Sequence, residues 1–193
     1  MLDEKKLKEI QSRFKQFLDD GTIKTKQEVE FVEFFLDNAK KSLRSANALY
    51  DLSTDKEMQS LTGYRDFDGF LWIVNASYYS MFYMARALLE SEGIKIKSDM
   101  SIHSLTFDAM INFFYINGKL QKRFIEDFVE SLEEAFEILG KQKADLLIGD
   151  YFFEKGKRAT FTYKTNNIVI KAKAQTSLQR AIRFNEEINK ILS

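Results

Sequence analysis

Tyr79, Tyr83 and Arg86 recur at spacings of four and three, which places two phenol hydroxyls and a guanidinium on one face of a helix. Phenol donors beside a fixed guanidinium suit a phosphate group, because the planar fork of arginine gives paired, charge-assisted hydrogen bonds to oxyanions. Arg86 has two candidate internal partners, Glu90 one turn further on and Asp150 far along the chain. His103 is the only histidine and falls at the start of a helix, where its ring could equally bond a loop carbonyl. Asp150-Tyr151 reads as a hydrogen-bonded pair that fixes two helices, or as part of a ligand site. From Tyr151 to Arg183 the chain is basic, with Lys155, Lys157, Arg158, Lys164, Lys171, Lys173, Arg180 and Arg183 opposed only by Glu154. The preceding stretch holds Glu126, Asp127, Glu130, Glu133, Glu134 and Glu137. The basic run therefore either meets a nucleic-acid backbone or acidic partner, or is neutralised by the acidic helix.

Composition narrows the chemistry. The 193 residues fit one compact domain, and 29 basic residues balance 29 acidic ones, so a purely electrostatic nucleic-acid binder is not expected. With no cysteine, thiolate nucleophiles, disulfides and Cys-based metal sites are excluded, and one histidine cannot build a His-rich centre. No metal and no cofactor are expected. The 18 Phe and 8 Tyr promise a core built largely of rings. The opening MLDEKKLKEIQSRF lacks the apolar stretch of a secretory leader, and the longest apolar run, Phe70 to Val74, is far below the roughly 20 residues that span a bilayer. A cytoplasmic protein without membrane contact is the expectation.

The elements that must carry these residues are helical. There is no proline, and apolar residues recur every three to four positions. A short N-terminal helical extension (residues 1–24) is predicted over Asp3–Asp19, ended by Gly21. Thr25-Lys26-Gln27-Glu28 has the form of a capping box that would open a long second helix with Val29, Val32, Leu36, Ala39, Leu43, Ala46 and Tyr50 on one stripe. Residues 52–68 read as a loop, and a third helix runs from Asp68 to Glu92, closed by Gly93. A basic-polar loop over 95–100 leads to helices over 101–116 and 120–153. The period then shortens to two around Asn166-Asn167, which predicts a hairpin pairing Phe161 and Tyr163 with Ala172 and Ile170 and a polar face carrying Thr160, Thr162, Lys164, Lys171 and Lys173. A final helix covers about 175–192. The expected fold is all-α, an up-and-down bundle of about five to six helices with a small β-hairpin inserted before the last one.

The stretch Ala76-Ser77-Tyr78-Tyr79-Ser80-Met81-Phe82-Tyr83-Met84-Ala85-Arg86-Ala87-Leu88-Leu89 resembles the corresponding helix of the HEPN family, in particular its small archaeal and bacterial members. Gly93-Ile94 followed by a basic loop and His103-Ser104, and Asp150-Tyr151 near the end of a long helix, agree with the family pattern in order. The resemblance covers about residues 25–193. It implies a helical homodimer, often found beside a minimal nucleotidyltransferase in toxin–antitoxin-type systems, that binds a nucleotide or RNA at the dimer cleft. Many members are metal-independent ribonucleases in which an Arg is followed four to six residues later by His, the histidine assisting attack of the 2′-hydroxyl and the arginine stabilising phosphate charge. Here the nearest arginine before His103 is Arg86, and the closest spacing match, Arg158 to Tyr163, ends in tyrosine, a poor base with a pKa of about 10. Binding without cleavage is therefore the leading expectation, with Tyr79, Tyr83, Arg86, Asp150, Tyr151, Arg158, Tyr163, Lys171 and Lys173 as ligand contacts. A ribonuclease using His103 with Arg86 or Arg158, and a purely structural adaptor, are the alternatives.

Overall fold

The computed structural model describes residues 3–26, 28–97, 102–139 and 167–193. Helix α1 (Glu4–Asp19) starts where the Asp3 carboxylate accepts the Lys6 N–H at 2.8 Å. Its apolar stripe buries Ile10 and Phe14, and the chain leaves it through Gly21 in the left-handed region. Strand β1 (Ile23–Thr25) follows, then α2 (Val32–Thr54), α3 (Lys56–Thr62) and α4 (Phe70–Ser91). After β2 (Ile94–Ile96) come α5 (Ile102–Met110), which continues as a π-helical turn over Ile111–Tyr115, then α6 (Lys122–Leu139) and α7 (Asn167–Leu192). Among the described residues the fold is an all-α bundle of seven helices with one small two-stranded antiparallel sheet.

α4 is the centre of the bundle. It is buried on nearly every side, and α2, α5, α6 and α7 pack around it. Ala39 and Ala46 on α2 carry no bulk beyond Cβ and are fully buried, so α2 can approach α4 closely. At that contact the Ser80 hydroxyl donates to the Ala39 carbonyl at 2.9 Å and accepts from the Asn185 amide at 2.7 Å, tying α4 to α2 and α7. The main core is aromatic, as composition predicts: Phe107, Phe128 and Phe184 stack at centroid distances of 6.4 and 5.7 Å. Ile10, Phe14 and Ile23 of the N-terminal segment share that core. Arg13 reinforces the contact through a bidentate bond to the buried Asp108 on α5.

The strands differ from expectation in place. The sheet joins segments about 70 residues apart, Ile23 opposite Ile96 and Thr25 opposite Ile94. Thr25 therefore ends a strand rather than opening a capping box, and α2 begins only at Val32. Gly93 turns the chain between α4 and β2 at φ 70°, and a Cβ there would stand 1.9 Å from the Lys26 carbonyl oxygen, so only glycine fits. The predicted loop over 52–68 contains α3, capped by Asp55 and held by buried Gln59, whose amide donates to the Leu52 and Phe67 carbonyls.

The hairpin expected before the last helix is corrected on its second strand. Residues 168–172 belong to α7, while Phe161, Tyr163 and the rest of its first strand lie outside the described residues. Three alternating apolar residues satisfy a period of two, but Ile170, Ala174, Leu178 and Ile182 also recur every four. Packing of that second pattern against Phe70, Ile73, Val74 and Ala46 selects the helix.

Candidate functional site

The face of α4 that carries Tyr79, Tyr83 and Arg86 is its least buried one, and the three side chains do lie along it. An aromatic ladder runs beneath them. Tyr79 and Tyr83 have ring centroids 6.2 Å apart, Tyr83 stacks on Phe35 of α2 at 6.5 Å, and the Arg86 guanidinium lies 5.0 Å over the Phe35 ring. Such a cation over a ring face is attracted by the ring quadrupole and held in orientation. Among the described residues Arg86 makes no hydrogen bond or ion pair, and neither do the hydroxyls of Tyr79 and Tyr83. Burial lowers the Arg86 pKa and the nearby Glu90 charge opposes that. Burial, with Tyr83 beside it, raises that of Tyr79, which stays a neutral donor.

Arg86 opens on a cleft of about 320 Å³ between the segment leading into α2 and strand β2. Lys26 and Lys97 add positive charge to its wall and Glu28 and Glu30 negative charge, Lys95 is ion-paired with Glu90, and Phe31 and Phe35 add apolar surface. Phe31 is 50% exposed, so an aromatic face is presented to solvent beside the basic groups. The volume is at the lower end of small-ligand pockets, which run from about 300 to 1,000 Å³. A planar guanidinium without an internal acceptor, next to ammonium groups and an exposed ring, can hold an oxyanion and stack a flat group.

His103 has a different environment. It sits in the first turn of α5, buried, with Phe82 4.4 Å away ring to ring and Tyr79 and Phe136 edge-on. Its Nδ1 shares a hydrogen bond with the Tyr78 hydroxyl rather than with a loop carbonyl. Burial, helped by the charge of Arg86, pulls its pKa down to about 4, and burial holds the Tyr78 phenol well above its ordinary value. A ring that is neutral at pH 7 and so weakly basic is a poor proton acceptor, since general bases work best with a pKa near the operating pH.

Three of the four cations of the basic run that the structure describes are answered from within the chain. Lys173 pairs with Glu137 at 2.9 Å, Arg180 with Glu134 at 3.0 Å and also with Glu130 and Asp127, and Arg183 with Asp127 at 3.6 Å. Lys171 is exposed on α7. Asp150, Tyr151, Arg158 and Tyr163 lie outside the described residues. Of the expected contacts, the structure therefore brings together Tyr79, Tyr83 and Arg86, with His103 against Tyr79 from the core side.

Phe31, Phe35, Lys26, Lys95 and Lys97 complete the cleft and were not singled out from the sequence. The signals available were the Phe31-Val32-Glu33-Phe34-Phe35 cluster and the lysines that follow Gly93. Among the described residues no group of His, Asp or Glu side chains is arranged to hold a metal ion. No described helix is long and apolar enough to cross a membrane. Compared with known proteins, the chain matches no family model, no curated protein and no solved structure.

Proposed function

We propose that the protein is a HEPN-like helical module that binds a nucleotide or RNA through its phosphates in the Arg86 cleft, without cleaving it. One observation carries this reading: a guanidinium oriented on Phe35 has no acceptor among the described residues and opens onto a cleft that also presents Lys26, Lys97 and the exposed ring of Phe31. Arg86 is half-buried, so its charge is partly desolvated without an acceptor among the described residues, and a ligand oxyanion supplies one. The low basicity of His103 favours binding over catalysis. In this reading the protein acts as a homodimer beside a nucleotidyltransferase, as the resemblance of the Ala76–Leu89 helix to HEPN proteins implies.

Filter binding of a labelled RNA across a salt series tests the proposal. Saturable binding that weakens with salt and falls at least tenfold in Arg86→Gln is expected. No saturable binding even at low salt would overturn it.

A further inference from the structure

Glu90 is the buried acid of a cleft wall whose other carboxylates, Glu28 and Glu30, are exposed. It lies one turn beyond Arg86 on α4, is 2% exposed, and lines the same cleft. Its Oε1 accepts the backbone N–H of Glu30 at 3.2 Å and of Phe31 at 3.1 Å, and the Lys95 ammonium closes on the same oxygen. The N-cap residue Phe31 makes no side-chain cap of α2, and Glu90 reaches from another helix to take the N–H of Phe31 and of Glu30 before it. Lys95 in turn stands 5.7 Å over the Phe31 ring. The carboxylate thus already holds three donors that a bound anion would otherwise use, two N–H groups at the approach to a helix and one ammonium. Burial pushes its pKa up, but Lys95 and the two N–H groups outweigh that and hold it below the usual carboxylate range, so it stays charged. Arg86 feels this charge without bonding to it.

We propose that Glu90 sets which donors of the cleft are free to bind, an internal anion that withdraws Lys95 and the Glu30–Phe31 N–H pair and leaves Arg86, with exposed Lys97 and Lys26, to meet an incoming phosphate. The assignment rests on the phosphate-binding reading of the cleft. Its consequence is that one cation of the cleft wall adds nothing to ligand binding while Glu90 is ionised. Removing the carboxylate charge should therefore strengthen binding, whereas a residue that only held the fold would weaken it when altered.

Binding of a short labelled oligouridylate, measured by anisotropy over a salt series, separates these outcomes. In Glu90→Gln the amide oxygen still accepts both N–H groups, but Lys95 is released. The slope of log K against log salt should steepen by about 0.7, the value for one more neutralised phosphate on a single strand, which makes binding about fivefold tighter near 0.1 M salt. Lys95→Gln should leave the slope unchanged, because that charge is already spent on Glu90, and this arm decides the matter if Glu90→Gln does not fold. An unchanged slope in a folded Glu90→Gln protein, or a slope flattened by about 0.7 in Lys95→Gln, overturns the assignment of Glu90. Absence of saturable, salt-dependent binding by the unaltered protein overturns the underlying reading instead.

Discussion

His103 and Asp108 lie five residues apart in one helix, both buried, and burial drives their titrations in opposite directions. His103 is lowered from 6.5 to about 4, chiefly by burial and then by Arg86. Asp108 is raised from 3.8 to about 6, because burial outweighs the opposing charge and hydrogen bonds of Arg13. As pH falls below 6.5 the unfolded chain protonates its histidine before the native state does, so the His103 contribution to stability is lost between 6.5 and about 4. That gap is worth about 3 kcal/mol at 1.36 kcal/mol per pH unit. Over nearly the same window native Asp108 takes up its proton before the unfolded chain does, which returns about 3 kcal/mol as pH falls from about 6 to 3.8. The two contributions cancel in the native sequence.

Single substitutions should uncover each slope. Relative to the unaltered protein, Asp108→Asn should lose about 3 kcal/mol between pH 7 and pH 4, and His103→Asn should gain about as much. The double substitution should run parallel to the unaltered protein. Urea denaturation followed by far-UV circular dichroism is the suitable assay, because Trp72 is 65% exposed and a weak reporter of the core. Single-variant curves that parallel the unaltered protein across this range would mean that neither buried group sets the pH dependence of stability.

Three further outcomes follow from the packing. Gly93→Ala should destabilise the protein by more than about 2 kcal/mol in urea denaturation, since its Cβ meets the Lys26 carbonyl and its φ is positive. Ser80→Ala should cost about 1–3 kcal/mol by removing the acceptor of the buried Asn185 amide, whose own oxygen already lacks a partner among the described residues. Ser77→Ala, one helical turn back on α4, should instead be neutral or stabilising by up to about 1 kcal/mol, because the Ser77 hydroxyl is buried with no partner among the described residues. Thermal melts of the two serine variants side by side make the contrast direct.

The parts of the fold legible in the sequence are those governed by local rules. α4 was readable from an unbroken period of three to four and its terminal glycine, and α1 from Ile10, Phe14 and the stop at Gly21. What local pattern could not carry was long-range. β1 gains its partner only after about 70 residues, α3 depends on a buried glutamine that composition marks as polar, and Ile170 suits either period until α4 is present. The candidate site divides the same way. The spacing of Tyr79, Tyr83 and Arg86 placed them on one face, whereas the Phe35 platform under Arg86 and the hold of Glu90 on the Phe31 N–H link residues about 50 to 60 positions apart. No periodicity within a helix reports such contacts. The acidic α6 also shows why a run of lysines and arginines is weak evidence alone: Lys173, Arg180 and Arg183 are answered by Glu137, Glu134, Glu130 and Asp127.

The arginine side-chain resonances offer the most direct test of the cleft. On titration with a short oligoribonucleotide, the Arg86 Nε–Hε signal and the backbone amides of Phe31 and Lys97 should shift together and saturate, while those of Arg180 and Arg183 stay in place. Saturating shifts confined to α7, with Arg86 unmoved, would contradict the account.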